Sequence, residues 1–90
     1  MELTELRANI DRIDRELIAL LEERMDVAAG VAEFKKDTGK PVLDAARELE
    51  KLQTVNCLCR PETADLITGL FAEIMAASRA YQTRLMEEWE

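Results

Sequence analysis

The 90-residue chain contains no histidine and two cysteines, and this scarcity excludes several kinds of chemistry. Without histidine there is no serine–histidine triad and no thiol–imidazole pair, and the commonest general base is missing. Cys57 and Cys59 are too few for a zinc site, and no glycine-rich phosphate loop is present. We expect neither a metal nor a cofactor, and any enzymatic reaction here must need little proton transfer.

Basic residues are the minority among the charged side chains. There are 12 lysines and arginines against 19 acidic residues, so the net charge is −7. This balance disfavours nucleic acid or an anionic membrane surface as a partner. No run of about 18 apolar residues is present, and the acidic N-terminus has no apolar signal core. We therefore expect a cytoplasmic protein with no membrane segment.

Three glycines, two prolines and 48% apolar residues are typical of a helical globular domain, here a single one over residues 1–90. We assign Thr4 as the N-cap of a first helix over residues 5–36, which Gly39 ends. Its apolar residues recur every three or four positions, as in a coiled coil. We call them the seam: Leu6, Ile10, Ile13, Leu17, Leu20, Val27, Val31 and Phe34.

Two more helices follow the first. Asp44 is the predicted N-cap of a second helix over residues 44–56, and Pro61 is predicted to start a third helix over residues 61–88. No strand-like alternation and no internal repeat is found. The sequence therefore predicts an all-α fold with a long, a short and a long helix.

The length of the first helix predicts a homodimer. It is about 48 Å long at ~1.5 Å per residue, whereas a compact chain of this size has a diameter of roughly 30 Å. The seam runs to both ends of the helix, and an apolar seam left in water is unfavourable. Another copy of the chain should cover it, with the long helices packed together.

Polar residues interrupt the apolar pattern at two places. The seam spacing continues from Leu20 to Arg24, and Lys35 lies three turns further on at nearly the same azimuth. In the third helix the apolar stripe continues into Ser78 and Gln82, one turn apart. The alternatives are an internal ion pair, a cation that reaches out to water, and a water-filled packing defect.

Taken together, these interruptions predict one pocket. Arg47 and Glu48, in the first turn of the second helix, join the four residues above, although Asp44, Arg47 and Glu48 are also ordinary residues for a helix start. Cations and neutral donors suit a small polycarboxylate.

Arg7 lies 17 residues before Arg24, about 25 Å along a straight helix. It cannot reach this pocket in its own chain, but it could reach the partner's in an antiparallel pairing.

The chain resembles the all-helical chorismate mutases over nearly its whole length. The residues that carry the resemblance are Leu6-Arg7, Ile10-Asp11, Ile13-Asp14, Leu20 to Arg24, Val31 to Lys36, Lys40 to Asp44, Arg47-Glu48 and the Ser78/Gln82 pair. The stretch from Val55 to Glu62 matches least well. The resemblance implies an intertwined homodimer with two active sites, each completed by an arginine of the other subunit, and chorismate as substrate.

The resemblance also implies a role for each predicted site residue. Arg24 and Arg7 of the partner subunit would clamp the two carboxylates of chorismate. Lys35 would bind a carboxylate and the ether oxygen, and Gln82 would donate to that oxygen. Glu48 would accept from the ring hydroxyl. The binding wall would be completed by Asp44, Arg47 and Ser78. Because the Gln82 amide donates without being protonated, a broad pH profile is expected.

Two other functions remain open on the sequence alone. Isochorismate-pyruvate lyases share this scaffold, although the polar set and the loop from Asp37 to Leu43 favour the mutase. A non-catalytic dimerisation module that senses a metabolite is the other. Such domains are often fused to other enzymes of aromatic amino acid biosynthesis, so the chain could be free-standing, fused to such an enzyme or in complex with one.

Overall fold

The computed structural model describes residues 1–90 as three helices and no strand. Helix α1 is Leu3–Thr38, α2 is Ala45–Leu58 and α3 is Ala64–Glu88. The predicted all-α fold with a long, a short and a long helix is confirmed. None of the three helices combines the length and the apolarity needed to cross a membrane.

The two ends of α1 differ in how well the sequence predicted them. Thr4 as N-cap is wrong: the helix starts at Leu3, and Glu2 occupies the cap position in an extended conformation without a side-chain hydrogen bond. The first N–H groups are exposed, and water can satisfy them. Gly39 ends the helix as predicted. Its φ of 72° is left-handed, and its N–H donates to the carbonyls of Lys35 and Lys36.

The start of α2 is confirmed and that of α3 is wrong. The Asp44 carboxylate accepts from the Arg47 backbone N–H at 3.0 Å, and α2 continues to Leu58, two residues beyond the prediction. Helix α3 begins at Ala64, not at Pro61. The N–H of Thr63 donates to the carbonyl of Arg60 at 3.1 Å. Pro61 therefore sits second in a four-residue turn, another position that its fixed φ suits.

Helix α3 holds the fold together, since it packs against both other helices. Between α1 and α2 no pair of Cα atoms comes within 8 Å. The buried residues of α1 are Ala28 and Ala32, and those of α3 are Ala64, Met75, Ser78 and Gln82. Small alanine side chains allow α3 to lie close to α1.

The molecule is elongated and has a thin core. It measures 53 × 26 × 14 Å with a radius of gyration of 16.2 Å, against about 12 Å for a compact chain of this length. Seven of the 90 residues are buried. All eight seam residues are between 41% and 64% exposed. Helix α1 thus packs on α3 through small residues and leaves the larger side chains of the seam about half exposed.

Candidate active site

A cavity of about 340 Å³ is lined by all three helices and by the loop before α2. Seven of the eight predicted site residues line it: Arg24, Lys35, Asp44, Arg47, Glu48, Ser78 and Gln82. Apolar side chains, among them Val31, Val42 and Met75, form the rest of its wall. The structure therefore brings together, from three helices, the residues at which the sequence pattern breaks.

The charge of the cavity is opposite to that of the whole chain. Five cations line it against two carboxylates, a local balance of +3 in a chain of net charge −7. Two of the cations, Lys51 and Arg79, were not predicted. A concave site lined by one sign of charge concentrates the field and attracts ligands of the opposite sign. The cavity is thus suited to a small anion, as the sequence predicted.

Lys35 joins the end of α1 to the loop that precedes α2. Its Nζ donates to the carbonyl of Val42 at 2.6 Å. An ammonium group has three donors, so two remain for a ligand. Neither Lys35 nor Arg24 forms an ion pair with a carboxylate of the chain. The predicted alternative, in which these cations are neutralised internally, is not what the structure shows.

Ser78 and Gln82 form a buried polar pair on α3. They are 7% and 6% exposed, and the Gln82 Nε2 donates to the Ser78 Oγ at 3.2 Å. The Gln82 Oε1 is buried without a hydrogen-bond partner. A buried polar atom without a partner is rare and costs free energy unless a ligand or water meets it.

The Ser78 hydroxyl gives this pair two hydrogen-bonding arrangements, because it can donate as well as accept. After a half-turn of the Gln82 amide, Ser78 would donate to Oε1, and Nε2 would be free to donate to a ligand. The pair can therefore offer a donor or an acceptor to the cavity without a change of charge.

Glu48 and Arg79 form an ion pair that links α2 to α3, between Oε1 and Nη1. Their side chains are 23% and 35% exposed, whereas those in the other two ion pairs, each within one helix, are 56% to 69% exposed. Arg47 belongs to one of those pairs, with Glu50 at 3.1 Å. The Glu48–Arg79 pair is thus the more shielded from water and from salt screening.

Comparison with known proteins identifies the family. The profile described as chorismate mutase type II matches residues 6–83. The chain belongs to the type II chorismate mutase family.

A chorismate mutase of Methanocaldococcus jannaschii is 33% identical over 97% of this chain and 90% of that protein. The bifunctional chorismate mutase/prephenate dehydratase of Escherichia coli is 34% identical over 96% of this chain, which spans 23% of that protein. Among solved structures, chorismate mutase from Helicobacter pylori in complex with prephenate has a TM-score of 0.86. It is 31% identical and is matched over 96% of this chain and 94% of that one. The resemblance stated from the sequence is thereby confirmed.

Two cations that line the cavity, Arg79 and Lys51, were not predicted from the sequence. Arg79 lies off the apolar stripe that Ser78 and Gln82 interrupt, and Lys51 lies one turn after Arg47. Helical spacing could have indicated both residues, because positions three or four apart share a face of a helix. Lys51 follows the predicted site residue Arg47 by four positions, and Arg79 precedes Gln82 by three. The eighth predicted residue, Arg7, is exposed and does not line the cavity.

Proposed function

We propose that the chain catalyses the rearrangement of chorismate to prephenate. The observation that carries this proposal is the cavity, which combines unpaired cations and a buried amide with no histidine and no group of three metal-ligating side chains. The family supports it, and so does the similar H. pylori structure, which holds prephenate. Prephenate and chorismate both carry two carboxylates, which suits the positive cavity.

The reaction needs no general base, because its electrons move within one molecule. In this Claisen rearrangement the ether C–O bond breaks while a C–C bond forms, through a chair-like arrangement of the side chain over the ring. No proton is transferred. The protein has to select the compact conformer and to stabilise the negative charge that grows on the ether oxygen.

Lys35 and Gln82 are the proposed donors to the ether oxygen. The ammonium has two donors beyond its bond to Val42, and the Gln82 amide can turn Nε2 into the cavity. Lys35 is half-buried and Gln82 is buried, so the interaction of each with the developing charge is stronger than it would be in water. Arg24 would bind a carboxylate, and Glu48 would accept from the ring hydroxyl. Asp44, Arg47 and Ser78 would complete the wall.

A homodimer completes the proposed site. The eight seam residues are 41% to 64% exposed in the single chain, so burying the exposed part of each would give roughly half of the about 1.5–3 kcal/mol gained by burying a whole apolar side chain. A second copy of α1 lying antiparallel along the seam would bring Arg7 of the partner subunit to the cavity. Arg7 would then bind the second carboxylate of the substrate.

The proposed activity is tested by adding purified protein to chorismate, following the loss of chorismate absorbance and identifying the product by chromatography. Prephenate formation that Arg24→Ala abolishes is the expected result. Release of pyruvate from isochorismate, without turnover of chorismate, would instead identify a lyase. A folded dimer that turns over neither substrate would identify a binding module.

The shared site is tested by mixing two inactive variants, Arg7→Ala and Lys35→Ala. In a mixed dimer, one site would lack both side chains and the other would be intact. Random reassortment of equal amounts makes half of the dimers mixed, so about a quarter of wild-type activity should return. If mixing restores nothing although the subunits exchange, Arg7 does not act across the interface.

Two further points remain predictions. The first is location in the cytoplasm. Fusion to, or complex formation with, another enzyme of aromatic amino acid biosynthesis is supported by the bifunctional relatives. Both are tested in the source cells, by fractionation and by the mass of the native polypeptide.

A further inference from the structure

Arg79 is the lining residue whose contacts the proposed mechanism leaves unexplained. It forms the ion pair that joins α2 to α3, and its partner Glu48 is the proposed acceptor for the substrate's ring hydroxyl. The pair could simply brace the two helices. Its place in the cavity wall, however, connects it to the substrate.

The carboxylate of Glu48 has two oxygens with different surroundings. Oε1 accepts from Arg79, and Oε2 makes no hydrogen bond within the chain. A carboxylate held by one oxygen keeps its other oxygen in a defined place and available as an acceptor. Arg79 thus leaves one oxygen of this cavity-lining carboxylate free to accept a hydrogen bond.

Glu48 has a competing partner on its own helix. Lys51 follows it by three residues, a spacing that permits an ion pair along the helix, and it also lines the cavity. In the structure Glu48 pairs across to α3 instead. Without Arg79, the carboxylate would be free to turn along α2 towards Lys51 and away from the position in which it meets a substrate hydroxyl.

We propose that Arg79 is a positioning residue that holds the Glu48 carboxylate ready to accept from the ring hydroxyl of chorismate. This inference rests on the proposed mutase function. It assigns Arg79 no contact with the reacting atoms. Its consequence is that Arg79 affects turnover only of a substrate that carries the hydroxyl.

The test compares chorismate with its analogue in which the ring hydroxyl is replaced by hydrogen. For Arg79→Met we expect kcat/KM to fall about tenfold on chorismate, the size of one charge-assisted hydrogen bond, and to stay within about twofold on the analogue. Most of the loss should lie in KM, since the hydroxyl takes no part in the bonds that change. Arg79→Lys, which keeps a cation, should recover much of the loss.

Two controls separate positioning from bracing. Unimpaired turnover of the analogue by Arg79→Met shows that the site is folded. Arg12→Met removes another arginine from an ion pair, with Glu16 at 3.2 Å within α1, and should alter neither substrate's kinetics. In addition, Arg79→Met should cost little further activity in a Glu48→Gln background, because the two side chains act as one unit.

Equal losses on the two substrates, or none on either, would overturn the role of Arg79 while leaving the mutase function intact. Wild-type protein that does not convert chorismate would reject the proposed function, and the role of Arg79 with it. The two failures are therefore distinguished by the wild-type assay alone.

Discussion

The two halves of α1 carry the same apolar spacing but have different surroundings. Residues 3–20 are all exposed, whereas the half from Leu21 to Thr38 contains Ala28 and Ala32 in the core and Arg24 and Lys35 in the cavity wall. The spacing of the apolar residues continues through both halves, and only its interruption at Arg24 points to this division. An apolar stripe predicts that a helix face will be covered, and in the single chain the seam residues stay 41% to 64% exposed.

The two halves of α1 also have different roles in the proposed dimer. The C-terminal half builds the site with α2 and α3, and the N-terminal half is left for another chain. Arg7 lies on that free half, so a dimer formed along it would place Arg7 at the neighbour's cavity. Dimerisation and catalysis are then coupled through a single helix, and the two halves can be tested separately.

The largest effect is expected from the C-terminal half. Lys35→Ala removes a donor from the proposed ether-oxygen site, and such a loss costs about 3–4 kcal/mol of barrier, or two to three orders of magnitude in kcat. The mass of the assembly, measured by sedimentation, should not change. Near-normal kcat in this variant would exclude Lys35 from charge stabilisation.

A charge in the N-terminal half should instead break the assembly. Ile13→Asp places a carboxylate in the seam, where burial without a partner costs several kcal/mol. We expect dissociation on sedimentation and loss of activity with it. Ala19→Asp adds the same charge at an exposed position away from the seam, about 120° around α1 from Ile13, and should leave the dimer intact. An active dimer of Ile13→Asp would show that the seam is not the interface.

A smaller effect is expected from enlarging the contact between α1 and α3. Ala32 is fully buried, and Ala32→Leu should destabilise the fold by about 1–3 kcal/mol through overpacking. Ala8→Leu makes the same change at an exposed position in the other half of the helix and should be nearly neutral. Thermal unfolding at one fixed protein concentration measures both, and equal melting temperatures would contradict the packing described here.

The smallest effects on stability are expected from two glycines, one inside the C-terminal half of α1 and one at its C-cap. Gly39→Ala should cost about 1 kcal/mol, because the φ of 72° is unfavourable for a residue with a Cβ. Gly30→Ala, inside the helix with open space around it, should stabilise by about 0.5–1 kcal/mol. Urea unfolding should therefore shift in opposite directions. Shifts of the same sign would show that neighbouring groups, and not backbone conformation, dominate.

The candidate site was largely predictable because its residues violate a pattern. Arg24 interrupts the seam, and Ser78 and Gln82 interrupt the stripe on α3, so each was visible without a structure. Arg79 and Lys51 violate nothing, since a cation on the partly exposed face of a helix is ordinary. Their part in the cavity depends on how α2 and α3 are juxtaposed.

The errors at helix starts have a related cause. Pro61 fits both the first turn of a helix and the second position of a turn, and local preference does not choose between them. Thr4 could cap a helix, but an exposed helix end needs no side-chain cap. Asp44 and Gly39 were predicted correctly because a capping carboxylate and a left-handed glycine are strong local determinants.

The sequence by itself determined the three helices, the uncovered seam and most of the polar residues of the site, because helical periodicity is a local property that single positions can break. Only the tertiary structure decided that α3 packs on α1 at the face of Ala28 and Ala32, and that Arg79 of α3 pairs with Glu48 of α2. Those contacts join residues tens of positions apart, and no spacing along the chain encodes how two helices lie against each other. The large apolar side chains of the seam form the pattern that is visible in the sequence, whereas the small side chains of Ala28 and Ala32 form the buried face of α1.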